Sequence, residues 1–578
     1  MKKIAENFKG HAKELILGPF FKLLEAVLEL LVPLVMANII DVGIRNKDFA
    51  YIAKNGAILV LLALLGAAAA MICQYYAAVC GAHFGLRLCR QVYGHVMSLS
   101  LQEVDSIGVG GLITRLTNDT NQMQVGVNMA IRLGTRVPFL AIGSIVMAIV
   151  INWKIGLVVL ASAVLMALVL YAIMHRTIPM YGDIQHKQDE ISRLSQENLD
   201  GARVVRAFSR QEDEKKKYSA AAAKLTEIMV KVGRISAGLN PLTTLIVNIG
   251  IGLIVWWGAG VAFNGGIAPG EIIALVNYMN QTLLALIVAA NLIVIFTRAI
   301  ASGKRISALL DIQPAIVDGP GAKQDETAPA IEFKDVAFAY HKGAENALEN
   351  INFAVQKGET IGIIGGTGSG KTTLVQLILR NYDTGTGNVL VNGDSVKNYT
   401  LGSLRGKIGM VPQKASLFSG TIRTNLAMGA PNAGEEEIWQ ALEQAQGAEF
   451  VRKLPKELDA PVEEGGKNFS GGQKQRLTIA RALVRKPQIL ILDDSASALD
   501  YATDAALRKA LRSEPRGMTT LIISQRAATL MQADKILVLE NGNLAGADTH
   551  KNLLQNCEVY REICASQGIL QPQGGVGA

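Results

Sequence analysis

The sequence predicts a six-helix transmembrane bundle with long cytosolic helix extensions, followed by a separate α/β domain that carries a helical subdomain. Three observations predict it. Half of the 578 residues are hydrophobic and only 18% are charged, which is too apolar for an ordinary soluble protein of this length. The apolar excess is confined to residues 12–300, in runs such as "AILVLLALLGAAAAMI", whereas 320–578 carry the regular charges and turns of a soluble domain. In that second half, "IGIIGGTGSGKTTLVQLIL" places a glycine-rich turn between an apolar strand and a helix. The expected organisation is a transmembrane domain over 1–313, a Pro- and Gly-rich linker over 314–330, the α/β domain over 331–566 and a C-terminal tail over 567–578.

A helix needs about 20 apolar residues to cross a bilayer. Six segments qualify, at 17–41, 55–80, 129–151, 155–175, 241–263 and 271–296. The second and third are joined by a long charged connection, and so are the fourth and fifth. Both connections lack the Pro and Gly density of structureless loops, so the membrane helices are expected to continue into the cytosol. Each extension would end in a short crosswise helix, near 101–106 and 201–210. The start "MKKIAENFKGHAKEL" is basic and lacks a small-residue cleavage site, so no cleaved signal peptide is expected. An even number of spans then leaves both termini in the cytoplasm, in a multi-pass protein of the cytoplasmic membrane. Trp153, Trp256 and Trp257 fall near the outer ends, as interfacial aromatics do.

The net charge of +8 fits Lys and Arg held on cytoplasmic loops, and nucleic acid is not expected as a partner. The five cysteines form no CxxC pair and read as packing residues. Glu25 and Glu29, one turn apart in the first apolar segment, have two readings. They could form a site for cationic substrates, or be paired locally with Lys22 or at the inner interface. Asn277, Asn280, Gln281 and Asn291 on the sixth segment are open in the same way, since polar residues also hold helices together.

The chemistry is concentrated in the second half. Residues 361–364 read as a buried strand and Thr372 onward as a helix, with Gly365, Gly366, Thr367, Gly368, Ser369, Gly370, Lys371 and Thr372 between them in the pattern GxxxxGK[ST]. Glycines there let backbone N–H groups wrap phosphates at a helix N-terminus, where the helix dipole favours negative charge. Lys371 would reach the terminal phosphates and the Thr372 hydroxyl would bind Mg²⁺, with Thr373 next in line. This is a P-loop nucleotide-binding domain. Gln413 follows an apolar strand, where its amide could meet Mg²⁺ and an attacking water. Ser470, Gly471, Gly472 and Gln473 open a helix at a Gly turn available to an anion. Strand "LILDD" presents Asp493 for Mg²⁺, and "TTLIISQ" delivers Gln525 at its end.

In combination and order, these motifs resemble the ATP-binding cassette (ABC) family, and the six-segment half before them resembles its exporter branch. The resemblance runs from the first apolar segment to about residue 566. Ser470, Gly471, Gly472 and Gln473 match the family signature, with Phe469 in place of the usual Leu, and Tyr340 matches the aromatic residue that stacks on adenine. Ser497 to Asp500, "SALD", matches the loop after the Asp493 strand. The resemblance implies ATP held between two such domains, each phosphate loop capped by the other chain's signature. A working unit then needs two chains in a lipid bilayer.

Two positions depart from the family. Its catalytic Glu is here Asp494, and its switch His is here Gln525. The segment "APVEEGGKN" keeps Glu464 but departs at Glu463 and Gly465. The shorter Asp494 would hold a water less well, and Gln525 has no imidazolium to offer a γ-phosphate. Both changes fall on hydrolysis, while the residues that would bind ATP are present. That asymmetry predicts a heterodimer, in which this chain supplies a degenerate ATP site and an intact signature to a second half-transporter chain. The alternatives are a homodimeric exporter with slow ATPase and an ATP-gated channel or sensor. A small molecule, a lipid or a peptide would each suit a cavity of this composition.

Overall fold

The computed structural model describes residues 2–569 apart from 324, 342, 496 and 514–516, so 570–578 of the expected tail lie outside the described residues. Two compact units are present, Met1–Met97 with Gly110–Ile312, and Ser98–Val109 with Gln313–Ala578.

Among the described residues, six helices are long and apolar enough to cross a membrane. They are Ala12–Ile44, Phe49–Ser98, Val109–Ile151, Trp153–Asp200, Gln211–Phe263 and Pro269–Asp311. The second is 50 residues long, about 75 Å at 1.5 Å per residue, against a hydrocarbon core of about 30 Å. The polar connections are therefore helical extensions, as the sequence predicts. Cys73, Ala77, Cys80, Phe84 and Leu88 are buried at three- and four-residue steps, which places one stripe of this helix against its neighbours. Short helices follow at Leu101–Ile107 and Ala202–Ala207, where crosswise helices were expected. Tyr278 is fully buried on the sixth helix, and its hydroxyl donates to the Leu30 carbonyl at 2.6 Å.

The two carboxylates of the first helix are paired. Glu25 accepts from Lys22 at 2.6 Å and lies 3.8 Å from Arg136, which also holds Glu29 at 2.8 Å. Two acids and two bases cancel, so the pairing reading holds and the cluster offers no net charge to a cation. Gln281 extends the network by accepting from Ser144 at 3.3 Å and donating to the Glu29 carbonyl at 3.4 Å. Replacing Arg136 by Met leaves Glu29 without its ion-pair partner. The expected cost is below the ~3–5 kcal/mol of a fully buried pair, because the Arg136 and Glu29 side chains are 29% and 36% exposed. Thermal unfolding in detergent should show a lower Tm for Arg136→Met than for Arg136→Lys.

The short helix Leu101–Ile107 belongs to the second unit. Ser100 and Glu103 form its capping box, and the Ser100 hydroxyl accepts from the Ile316 N–H at 3.0 Å. The Tyr382 hydroxyl donates to Asp105 at 2.6 Å, and burial together with that carboxylate pushes the phenol well above its usual range. A segment of the first polar connection is thus packed as part of the α/β domain.

The α/β domain is built on a six-stranded sheet of β1 (Thr360–Gly365), β2 (Ile408–Val411), β3 (Ile489–Asp493), β4 (Thr519–Ile523), β5 (Lys535–Glu540) and β6 (Asn543–Asp548), in the order β6-β5-β1-β4-β3-β2. All neighbours are parallel except the β5–β6 pair. Near-continuous burial of β1, β3 and β4 explains their unbroken apolar runs, since a parallel sheet is covered on both faces. A four-stranded antiparallel sheet contains Ile331–Phe338, which leads to Tyr340. Helices Ile422–Ala427, Glu435–Gln444, Ala448–Arg452 and Gly471–Leu483 share one apolar core and form the helical subdomain.

Candidate functional site

Sheet order brings the motifs together. Four parallel strands lie side by side as β1-β4-β3-β2, and each delivers its motif at its carboxyl end. These are the glycine-rich turn after β1, Gln525 after β4, Asp493 and Asp494 at the end of β3, and Gln413 after β2. The crevice at such strand ends is where open α/β sheets take their ligands.

The turn has the geometry its glycines suggest. Gly370 has φ +98°, and a Cβ there would meet the Leu348 side chain at 2.6 Å and the Ala347 carbonyl at 2.8 Å. Gly365 is closed in the same way by the Leu539 carbonyl, whereas Gly366 and Gly368 have open space beside them. Thr367 is exposed and Ser369 is buried. Helix Lys371–Ile378 starts at the turn, so its first N–H groups point into the open side.

Lys371 donates to the carbonyls of Gly365 and Gly366 at 3.0 and 2.6 Å and to the Ser369 hydroxyl at 3.3 Å. Burial pulls its amine below the usual lysine range, against the opposing pull of Asp493 and Asp494. Asp493 is only 4% exposed, and burial raises its carboxyl, with Asp494 adding to the rise and the Thr372 hydroxyl at 3.4 Å opposing it. A buried carboxylate beside a hydroxyl, next to a second acid, has the donor set of a hard divalent cation. Phosphate near Lys371 and a cation near Asp493 would each offset the burial that disfavours the charged forms.

Asp494 has φ +45°, a left-handed conformation that Asp tolerates better than most residues. Its N–H donates to the Ile523 carbonyl at 2.9 Å, and its side chain accepts from Gln413 at 3.3 Å. These bonds link the ends of β2, β3 and β4. The Gln525 side chain is exposed and makes no hydrogen bond among the described residues. Tyr340 is half-exposed, its hydroxyl 3.0 Å from the Thr373 hydroxyl and its ring edge-on to Tyr382.

The fold leaves Ser470, Gly471, Gly472 and Gln473 without a hydrogen bond to residues 365–372 among the described residues. Ser470 and Gln473 instead form a capping box on helix Gly471–Leu483, at 2.9 and 3.3 Å. The N–H groups of Gly471 and Gly472 remain at the helix start.

Gln567 is the residue that the sequence reading missed, since it lies in the expected tail. Its amide nitrogen donates to the Gln525 carbonyl at 2.7 Å, and its amide oxygen accepts from the Ala527 N–H at 2.8 Å. One side chain therefore holds the backbone on both sides of Arg526, whose guanidinium lies 5.9 Å over the Tyr501 ring. No local pattern marks a glutamine 42 residues away as a loop clamp. Replacing Gln567 by Ala should speed amide exchange at Ala527 by roughly tenfold, the worth of one hydrogen bond, with little change at the centre of β4.

Comparison with known proteins shows the family. Residues 15–286 match the family model for the ABC transporter transmembrane region, and 348–497 match the model for the ABC transporter domain. An ABC transporter ATP-binding protein of Bacillus subtilis, YfiB, is 37% identical over 94% of this chain and 95% of its own length. This chain belongs to the ABC transporters. Another Bacillus subtilis ABC transporter, YheI, described as a "Probable multidrug resistance ABC transporter ATP-binding/permease protein", is 30% identical over the whole of this chain and 99% of its own. The ATP-dependent lipid A-core flippase of Desulfotalea psychrophila is 33% identical over 80% of this chain and 81% of its own. The solved structure of a bacterial Atm1-family ABC exporter with ATP bound shares the fold, with TM-score 0.80 and 24% identity over 97% of this chain and 99% of that one. The ABC chain is thus an exporter-type half-transporter, a multi-pass membrane protein with its own ATPase domain. Its fold implies a dimer and ATP-driven transport.

Proposed function

We propose that this half-transporter works in a heterodimer and contributes a degenerate ATP site together with an intact signature for its partner's site. The carrying observation is the contrast at the strand ends. The residues read as nucleotide-binding stand at the carboxyl ends of neighbouring strands, and at those same ends the two positions read as hydrolytic hold Asp494 and Gln525 in place of Glu and His. In this reading the turn 365–370, Lys371, Thr372 and Thr373 bind ATP phosphates, and Tyr340 faces the adenine. Thr372, Gln413 and Asp493 hold Mg²⁺, which supplies Lewis-acid polarisation of the phosphates. Asp494 and Gln413 orient water poorly, since Asp is one methylene shorter than Glu. Ser470, Gly471, Gly472 and Gln473 cap the ATP of the second chain. ATP binding favours the closed pair of cassettes, and release after hydrolysis in the partner's site resets the cycle.

The protein sits in the cytoplasmic membrane with both termini inside, and its cargo is a small or amphipathic molecule, a class consistent with the multidrug and lipid names of its relatives. Purification from the native membrane tests the heterodimer. The expected result is an equimolar second ABC chain with Glu and His at the two altered positions. A homodimer with brisk ATPase that Asp494→Asn abolishes would overturn it.

A further inference from the structure

We infer that Asp105 and Tyr382 are positioning residues for the base of the nucleotide, because they set the Tyr340 ring on which adenine stacks; this rests on the reading of Tyr340 as the adenine platform. Tyr340 follows the strand Ile331–Phe338, and it is 37% exposed, so surface remains for a base. Three contacts fix its ring. The Tyr340 hydroxyl lies 3.0 Å from the Thr373 hydroxyl, on the first turn of helix Lys371–Ile378. Phe338 stands nearly perpendicular to the ring, with centroids 4.9 Å apart at 79°, and Tyr382 does the same at 5.3 Å and 84°. Phe338 and Tyr382 are themselves buried and pack against each other at 5.6 Å. Edge-to-face pairs of this kind favour particular mutual orientations.

Apolar packing accounts for the Phe338 ring but not for the Tyr382 hydroxyl. A phenol at a buried position needs a partner, and here it donates to the Asp105 carboxylate at 2.6 Å. Burial and that carboxylate together keep the phenol protonated and donating. A hydrogen bond to an ionised acceptor is roughly twice as strong as a neutral one. Asp105 does not stabilise its own helix. It sits in the last turn of Leu101–Ile107, where the helix dipole disfavours negative charge. That helix is held at its start, since Ser100 accepts from the Ile316 N–H at 3.0 Å and Glu103 from the Ala315 N–H at 3.3 Å. The carboxylate therefore meets Tyr382 from a fixed support, Tyr382 packs against Tyr340, and Tyr340 presents one ring orientation to the base. Neither Asp105 nor Tyr382 has a hydrogen bond or ring contact with residues 365–373 among the described residues, so their effect falls on the base and not on the phosphates.

The test is calorimetric titration of the purified full-length chain in nanodiscs with AMP-PNP and with tripolyphosphate, which lacks the base, both in Mg²⁺. Tyr340→Ala is expected to weaken AMP-PNP about tenfold, within the range for base–aromatic stacking, and to weaken tripolyphosphate less. Asp105→Ala and Tyr382→Phe remove the same bond. Each should weaken AMP-PNP roughly threefold, part of the worth of one hydrogen bond because it acts through two rings, with tripolyphosphate unchanged. Asp105→Asn keeps an acceptor oxygen and should stay near wild type. In the Tyr340→Ala background, Asp105→Ala should cause no further loss, because residues that act through one another are not additive. A parallel loss of both probes in Asp105→Ala marks a role in folding alone and overturns the positioning role. An AMP-PNP affinity unchanged by Asp105→Ala and Tyr382→Phe, while Tyr340→Ala weakens it, also overturns that role but keeps the adenine reading. Equal losses of the two probes in Tyr340→Ala, or no loss, remove the adenine reading and the positioning role with it.

Discussion

Replacing Lys371 by Ala should weaken ATP binding at this chain's own site by roughly ten- to hundredfold, the range for losing charge-assisted hydrogen bonds. In the structure the Lys371 amine is spent on the Gly365 and Gly366 carbonyls and the Ser369 hydroxyl, all within its own turn. Its burial lowers its affinity for a proton, so a phosphate that restores the positive charge gains from both attraction and relief. A fluorescent ATP analogue titrated onto the purified full-length chain measures this directly. Unchanged occupancy in Lys371→Ala would contradict the assignment of the turn. The loss should appear without unfolding, because the side chain touches only loop atoms.

The second large effect runs in the opposite direction. A chain carrying Asp494→Glu and Gln525→His together should hydrolyse ATP at its own site about a hundredfold faster, since a misplacement of about 1 Å costs that much. Affinity for ATP should change little, because neither position belongs to the phosphate turn. The backbone sets a limit on the gain. Asp494 has φ +45°, which a longer side chain occupies less readily, so Asp494→Glu alone is expected to recover only part of it. The Gln525 backbone is held by Gln567, so a histidine there starts from a positioned loop. Single-turnover hydrolysis by wild type, both single variants and the double variant separates the contributions. Brisk wild-type turnover that the double variant does not raise would remove the degenerate-site reading.

Much of this molecule is written locally. Six apolar stretches of sufficient length, poor in charge, become membrane-length helices because hydropathy over some twenty neighbours decides that outcome. The polar connections continue as helix because they carry few breakers, and the buried stripe Cys80, Phe84, Leu88 and Val92 carries the second helix beyond its apolar segment. Each motif of the α/β domain is likewise a strand running into a turn, so its residue types and its place at a strand end are legible one by one. The departures at Asp494 and Gln525 are legible for the same reason. Each is a single position in a local pattern.

What only the tertiary structure decided depends on residues far apart along the chain. The sheet order β6-β5-β1-β4-β3-β2 places the four motif-bearing strands side by side, and no motif carries that order within itself. Glu29 finds Arg136 at a separation of 107 residues, which turns two intramembrane acids from a candidate cargo site into a neutral cluster. Gln567 reaches the loop around Gln525, and Asp105 reaches Tyr382 across 277 residues. The physical reason is common to all of them. Hydropathy and turn chemistry act through bonded neighbours, whereas a buried charge or amide takes whichever partner packing brings within about 3 Å, and only the folded chain determines which partner that is.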